Sequence, residues 1–284
     1  SSDVCSSDLV SLGMIDVVLK KKTGKTSFVG EVSFGPRGAG QSIPDVDGQS
    51  FHIQNLYATY AASDKLSLTA GYMGTFIGYE VISPLANFHY STSYLFTTGP
   101  FQNAGIKANY AVSSKVGLMV GLFNDQWNTY KATPEFGLNA FGAQLTLTPA
   151  EGLTAYFNLL TGSESGTIVD LTAAYQVTPK FKLGLNAADF SGVESGSGYS
   201  GIALYPSVAI SDSFGLGLRA ESFKSKTLDT SVSAFTLSAN LKSGGLTFIP
   251  EIRLDSASED SFYKSNGNPT KSASQFAVAM VYGF

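Results

Sequence analysis

The sequence predicts an all-β fold: a transmembrane antiparallel up-and-down β-barrel, with about 16 strands in the native protein and about 15 present here. Three features indicate this fold: segments with period-two alternation, connections that are short and long in turn, and an apolar last strand. The chain is 43% hydrophobic but only 14% charged, whereas soluble domains carry ~25% charged residues. A run of ~20 apolar residues, which a membrane helix needs, does not occur. Any membrane crossing must therefore use strands.

Alternating segments of about ten residues follow one another along the chain. Phe181, Leu183 and Leu185 share one face of such a segment. Lys182 and Gly184 share the opposite face, which is small or polar. We predict strands at 10–20, 25–34, 51–61, 65–74, 103–112, 115–123, 137–148, 152–161, 166–177, 180–190, 200–211, 214–223, 231–242, 245–254 and 275–284.

The connections between these strands alternate between tight turns and longer links, as short periplasmic turns and long outer loops do in transmembrane barrels. A propeller or a sandwich is not expected to keep this pattern. Counted back from a periplasmic C-terminus, segment 10–20 runs from outside to inside, so a lost N-terminal strand is predicted before it. Tight turns are predicted at 22–25, 63–65, 113–115, 149–152, 178–180, 211–213 and 243–245, and longer links at 36–50, 75–103, 124–136, 161–165, 191–199, 225–230 and 255–274.

The last strand, 275–284, reads QFAVAMVYGF and has one apolar face for which lipid is the expected cover. A terminal aromatic strand of this kind resembles the C-terminal signal by which Gram-negative outer-membrane barrels are recognised and inserted. The resemblance implies outer-membrane lipid and the barrel-assembly machinery as partners. A soluble all-β domain that ends on such a strand is the alternative. The residues of the insertion signal are Phe276, Val278, Met280, Tyr282 and Phe284.

The first nine residues, SSDVCSSDL, are interpreted as a sequencing-adapter artefact, because back-translation gives an adapter sequence in this frame. Residues 10–284 then form a single barrel domain whose native first strand and signal peptide are missing. Cys5 is the only cysteine, so the native part is predicted to lack disulfides and cysteine metal ligands. An ordinary polar tail is the alternative.

The link 75–103 is the longest, and Glu80 is its only charged residue. Its many aromatic and aliphatic side chains would be unfavourable in water. We therefore predict that it folds into the lumen and narrows it, with Glu80, His89, Tyr90 and Tyr94 at the constriction. An outer lid, or an extra strand pair in the wall, is the alternative.

Charged residues on the polar faces of the strands are expected to point into the lumen, where they would influence which ions pass. Both signs occur, so weak ion selectivity is expected. The alternative is that these charges only brace the wall as ion pairs. The predicted lumen charges are Glu31, Lys107, Asp170, Lys182, Arg219, Glu221, Glu251 and Arg253.

Several motifs resemble the OmpL-like beta-barrel porin-2 family of outer-membrane proteins. They are NLYAT at 55–59, LTAGYMGTFIGYEVI at 68–82, and YSTSYLF at 90–96, with Asn87, GPF at 99–101, Gly105 and SFVGEVSFG at 27–35. The resemblance covers the chain to about Asn128; beyond it only strand rhythm and Phe284 carry it. It implies a passive pore with residues 78–80 and 90–96 in or near the lumen. It supplies no catalytic residue and no ligand.

Catalytic and metal chemistry find little support in the sequence. The two histidines, His52 and His89, cannot supply a usual zinc site without cysteine. A hydrolase site of His89 with Ser91, Ser93 and Glu80 lacks a nucleophile motif. The run GPRGAG at 35–40 does not have the spacing of a phosphate-binding loop. Oxygen-rich stretches at 255–261 and 267–269 suit either Ca²⁺ or a solvated loop. We predict no catalytic residue, no metal and no cofactor.

Three function classes remain open at this point. The first is an outer-membrane porin of a Gram-negative bacterium that passes small hydrophilic solutes or ions. The second is a substrate-specific or plugged transporter barrel, and the third is a structural or adhesive barrel without conductance, or a barrel enzyme. With a formal net charge of −4 and no basic run, nucleic acid is not an expected partner. A homotrimer and a monomer are both compatible with the sequence.

Overall fold

The computed structural model describes residues 10, 12–35, 37, 53–128, 134–135 and 137–284. The segment 1–9, His52 and most of the run 35–40 lie outside the described residues. Fifteen antiparallel strands form one sheet in which sequence neighbours pair. They are β1 (Ile15–Thr23), β2 (Thr26–Phe34), β3 (Ile53–Ala61), β4 (Leu66–Gly74), β5 (Gln102–Ala111), β6 (Val116–Phe123), β7 (Ala140–Ala150), β8 (Leu153–Gly162), β9 (Gly166–Gln176), β10 (Phe181–Ser191), β11 (Gly198–Ser211), β12 (Phe214–Ser225), β13 (Thr230–Ser243), β14 (Leu246–Ala257) and β17 (Ser272–Tyr282).

Each predicted strand corresponds to one strand of this sheet, so the up-and-down antiparallel fold is confirmed. The ends differ by a few residues. The first strand begins at Ile15 instead of residue 10, and β14 continues to Ala257, which places Asp255 in a strand instead of a link. Within the described residues, β1 and β17 are the two edges of the sheet. The sixteenth strand stays a prediction.

The wall is apolar outside and polar inside, the reverse of a soluble barrel. In β12, Leu216 and Leu218 are exposed, whereas Arg219 and Glu221 on the opposite face are buried. The period of two along a strand separates these faces. The last strand follows the same rule, since Phe276, Val278, Met280, Tyr282 and Phe284 of the predicted insertion signal are all exposed.

The tight turns lie at one end of the sheet. Thr23 pairs with Thr26, and Ser243 with Leu246, so each of these two hairpins has a two-residue loop. Such loops favour positive φ, and their first residues are glycines with φ of 57° and 60° (Gly24 and Gly244).

The last long link contains a small hairpin that the sequence did not predict, made of β15 (Phe262–Tyr263) and β16 (Pro269–Thr270). Two residues per strand are too few for an alternating pattern to be recognised. The described residues hold no group of three or more His, Cys, Asp or Glu placed to bind a metal ion, and this link is among them.

Candidate functional site

The link between β4 and β5 spans residues 75–101 and is called loop 75–101 below. It contains a 3₁₀ turn at Pro84–Ala86 and a short helix at Tyr94–Thr98. Ser93 begins this helix, because its hydroxyl accepts a hydrogen bond from the N–H of Phe96 at 3.0 Å. Neither of these described helices is long and apolar enough to span a membrane.

An ion pair joins this loop to the wall at Arg219 of β12. Its Nη1 lies 2.9 Å from Oε1 of Glu80, and the two side chains are 0% and 4% exposed. The guanidinium also donates to the carbonyl of Ser91 at 2.6 Å and to Oγ1 of Thr236 at 3.1 Å. The second oxygen of Glu80 accepts from the backbone and the hydroxyl of Ser93. Both carboxylate oxygens are therefore satisfied, as a buried ion pair requires.

Two carboxylates of the wall hold the loop backbone. Glu221 of β12 accepts the N–H groups of residues 94 and 95, each at 2.9 Å. Glu251 of β14 accepts those of residues 90 and 91 at 3.0 and 3.1 Å, and the hydroxyl of Ser238 at 2.7 Å. Hydrogen bonds to a charged acceptor are stronger than neutral ones. The two carboxylates thus fix the path of the loop without a loop side chain.

Asp170 of β9 holds the start of the loop. Its Oδ1 accepts the N–H of Gly78 at 3.1 Å, and Asn158 and Asn186 donate to its two oxygens at 2.6 and 2.5 Å. The asparagines on the neighbouring strands β8 and β10 orient the carboxylate. Asp170 therefore does not point freely into a solvent-filled space.

Arg253 of β14 holds the segment before the short helix. Its Nη1 donates to the carbonyl of Thr92 at 2.8 Å, and its Nε lies 3.0 Å from both oxygens of Asp255. The guanidinium carbon lies 4.9 Å from the ring centroid of Tyr94. Burial, with the charge of Asp255, raises the pKa of Tyr94 to about 12, so this phenol is neutral.

His89 is buried between the loop and the wall. Its Nδ1 lies 2.7 Å from Oγ of Ser238, and the ring also hydrogen bonds the backbone of Leu218. Burial, and then the charge of Arg219, lower its pKa to about 3, so the ring is neutral at pH 7. Ser91, from the hydrolase alternative, instead accepts from Arg219 at 3.1 Å. Ser93 donates to Glu80.

The remaining predicted lumen residues lie away from these contacts. Glu31 of β2 accepts from Asn55 at 2.6 Å. Lys107 of β5 is half-buried, and Lys182 of β10 is exposed and lines a cavity beside the loop. Tyr90, by contrast, takes part in them through its N–H group, which Glu251 accepts, and its backbone carbonyl accepts from Nη1 of Arg37 at 2.6 Å.

Several residues of this arrangement were not singled out from the sequence. Tyr205 stacks on Tyr79 with ring centroids 4.5 Å apart, and Asn240 donates to the carbonyl of Phe88 at 3.1 Å. Both side chains share a face with predicted lumen residues of their own or neighbouring strands. Alternation alone therefore places them on the inner face but gives no sign of the loop that they contact.

Apolar side chains of the loop join a buried cluster inside the wall. Ile77 and Leu95 pack with residues from strands β4, β6 to β9, β11 and β12. Aromatic rings extend it, as in the stacked pair Tyr94 and Phe223 with centroids 5.6 Å apart. The apolar composition of the loop is thereby explained, because these side chains are removed from water.

Comparison with known proteins places the chain among outer-membrane barrels. The family profile described as "Putative beta-barrel porin-2, OmpL-like" matches residues 5–284. No curated protein matches the sequence.

Solved structures share the fold at low sequence identity. The anion-selective porin of Comamonas acidovorans is 12% identical with a TM-score of 0.65, over 95% of this chain and 89% of that porin. OmpT, an outer membrane protein of Vibrio cholerae, is 11% identical with a TM-score of 0.59, over 95% and 88%. OccAB4 of Acinetobacter baumannii is 12% identical with a TM-score of 0.55, over 98% and 78%.

Proposed function

We propose that this chain, which belongs to the OmpL-like beta-barrel porin-2 family, passes small hydrophilic solutes through a lumen narrowed by loop 75–101. The protein is a porin-like channel of the outer membrane in a Gram-negative bacterium. The position of the constriction and the residues that border it are our proposal.

The observation that carries this proposal is the set of polar contacts between the loop and one part of the wall. Side chains of β7, β9 and β11 to β14 make most of these contacts, and Arg37, which follows β2, donates to the carbonyls of Ile82 and Tyr90. A loop fixed at so many points is a static constriction, whereas an outer lid would have its polar contacts at the rim. The open path is proposed to lie beside it, along β1 to β6, where Glu31 and Lys107 face the lumen.

We also propose that the channel is not an enzyme. Support comes from His89, whose ring is engaged by Ser238 and Leu218. Ser238 is 0% exposed and donates to Glu251, so its hydroxyl is not accessible as a nucleophile. Lipid hydrolysis by the purified barrel would contradict this proposal.

Single-channel recording in a planar bilayer tests the pore. Uniform conductance steps are expected from the folded chain. A folded barrel that gives no steps would overturn diffusion through an open lumen. Circular dichroism and the resistance of the barrel to detergent provide the check on folding.

A plugged barrel is the second candidate, and the buried cluster around Ile77, Leu95 and Phe123 favours it. The cluster includes side chains of β4 and β6, which border the proposed path, as well as side chains of β7 to β9, β11 and β12. A silent chain that conducts after removal of residues 77–97 would establish the plug. Steps from the complete chain would exclude it.

Two partners follow as proposals. The exposed face of β17, which carries Phe276 and Tyr282, is proposed to meet lipid and the barrel-assembly machinery. A trimeric form of Vibrio cholerae OmpT is among the similar structures, at 11% identity and a TM-score of 0.54. We propose a homotrimer as the assembly to test against a monomer, by native mass spectrometry of the detergent-purified protein.

A further inference from the structure

A cavity lies between loop 75–101 and the end of the wall where the tight turns are. Its volume is about 430 Å³. The loop supplies Tyr79 and Phe88 to its lining, and the wall supplies Lys182, Asn240 and Lys242. The cavity is therefore adjacent to the proposed constriction, on the side of the tight turns.

The two lysines of this cavity point into the lumen. Lys182 is paired across the sheet with Gln176 and Ser207, on the face opposite to the apolar residues of β10. Lys242 is two residues from Asn240, whose side chain contacts the loop, so it shares that face. Within the described part of the chain, neither ammonium group forms an ion pair or a hydrogen bond to protein.

No free negative charge in the cavity opposes these ammonium groups. Glu80 is the only carboxylate in its lining, and it is paired with Arg219. His89, also in the lining, is neutral. An adjoining cavity of about 270 Å³ contains both lysines and Lys180, with Asp212 as its one acid. The two cavities together carry an excess of positive charge.

The aromatic part of the cavity is held in place by the wall. Phe88 lies directly over Gly217, where an added Cβ would overlap its ring. The ring of Tyr79 is stacked on Tyr205 at 4.5 Å. Rigid apolar surface beside a few convergent polar groups is the usual composition of a site for a small organic ligand.

We propose that this cavity is a binding site for small organic anions that carry a phosphonate, phosphate or carboxylate group. The anionic group lies between Lys182 and Lys242, and the apolar part of the solute lies against Phe88. The inference rests on the proposed channel function and names its solute class. It gives the lumen a preference for anions, in place of the weak selectivity expected from mixed charges.

The test uses phenylphosphonate and methylphosphonate, which have similar charge and differ in apolar surface. Each is added in turn to both sides of a bilayer that contains single channels, and the block of a potassium chloride current is measured. Phenylphosphonate is expected to block at lower concentration than methylphosphonate. The double variant Lys182→Gln, Lys242→Gln is expected to weaken the block about tenfold or more, as loss of charge-assisted contacts predicts.

The matched control is Lys65→Gln, Lys115→Gln, which removes two exposed lysines from tight turns at the same end of the barrel. It is expected to leave the block unchanged. Equal block of both double variants, or equal block by the two phosphonates, would overturn the proposed site. A chain without conductance would overturn the channel instead, and calorimetric titration of phenylphosphonate into the folded barrel would then test the site separately.

Discussion

The two parts of the wall use their inward charges differently. On β9, β12 and β14, Asp170, Arg219, Glu221, Glu251 and Arg253 all contact loop 75–101. On β2 and β5, by contrast, Glu31 and Lys107 have no polar contact with the loop among the described residues. Inward charges therefore differ in one barrel: one set holds loop 75–101, and the other borders the proposed path.

The two sets of charges differ in how far they are buried and paired. Arg219 is 0% exposed and has four hydrogen bonds to the loop and to Thr236. A charge held in this way cannot attract a passing ion strongly, because its field is balanced by Glu80. The positive charge of an unpaired lysine that faces the lumen is not balanced in this way, so it still attracts anions. Ion preference is therefore expected to depend on the charges that the loop leaves free.

Among changes that test this difference between the two parts of the wall, removal of the loop should have the largest effect on the single-channel conductance. Replacing residues 77–97 with a short Gly-Ser linker is expected to raise the single-channel conductance roughly twofold or more, since the lumen of a barrel of this size is wide enough for water. Replacing residues 259–270 of the last outer link, which contains β15 and β16, with the same linker is the control. Equal conductance of the loop-deleted and complete chains would contradict a constriction.

Breaking the buried ion pair comes next. Arg219→Met leaves Glu80 buried without its partner, which costs about 3–5 kcal/mol in comparable pairs. The loop should detach, and noisy, larger current steps should replace uniform ones. Limited proteolysis within loop 75–101 provides a second measurement.

The double variant Arg219→Met, Glu80→Gln separates charge from packing. Because neither charge then remains buried alone, quiet steps should return in large part. The matched single variant Lys107→Met should leave the loop resistant to protease. A loop that detaches equally in all three variants would contradict a role for the ion pair.

Low pH should destabilise the folded loop on the same side of the barrel, because His89 becomes protonated. Its pKa is lowered to about 3 in the folded loop, while an unfolded histidine titrates near 6.5. The folded state therefore binds fewer protons between these values, and the stability present above pH ~6.5 is lost as the pH falls towards 3, by at most about 1.4 kcal/mol per pH unit. Current steps should become noisy near pH 4, and less so in His89→Gln.

The smallest effect on the stability of the loop is expected from a side chain added at Gly217, against which the ring of Phe88 packs. Gly217→Val puts a side chain where Phe88 lies, and overpacking of this kind costs about 1–3 kcal/mol. Gly117→Val on β6 is the matched control, because a Cβ there meets Thr146 at 3.4 Å and the carbonyl of Tyr110 at 4.0 Å, which are ordinary contact distances. Gly217→Val should lower the temperature at which the loop becomes protease-sensitive, and Gly117→Val should not.

Alternation predicted the strands because lipid outside and water inside impose a period of two on every strand. Arg219 could be placed on the inner face in this way, but its partner Glu80 is 139 residues away in the sequence. No local pattern encodes that contact. The short helix at Tyr94–Thr98 was missed for a similar reason, since Glu221 of a distant strand accepts its first N–H groups.

Cysteine accessibility tests the central claim most directly. Lys107→Cys and Ser238→Cys are each made in a Cys5→Ser background and treated with a charged thiol reagent during single-channel recording. A stepwise fall in current is expected for Lys107→Cys, on the open side, and no change for Ser238→Cys, which is 0% exposed behind the loop. A fall for Ser238→Cys with none for Lys107→Cys would place the conducting path on the wrong side of the loop and contradict the account.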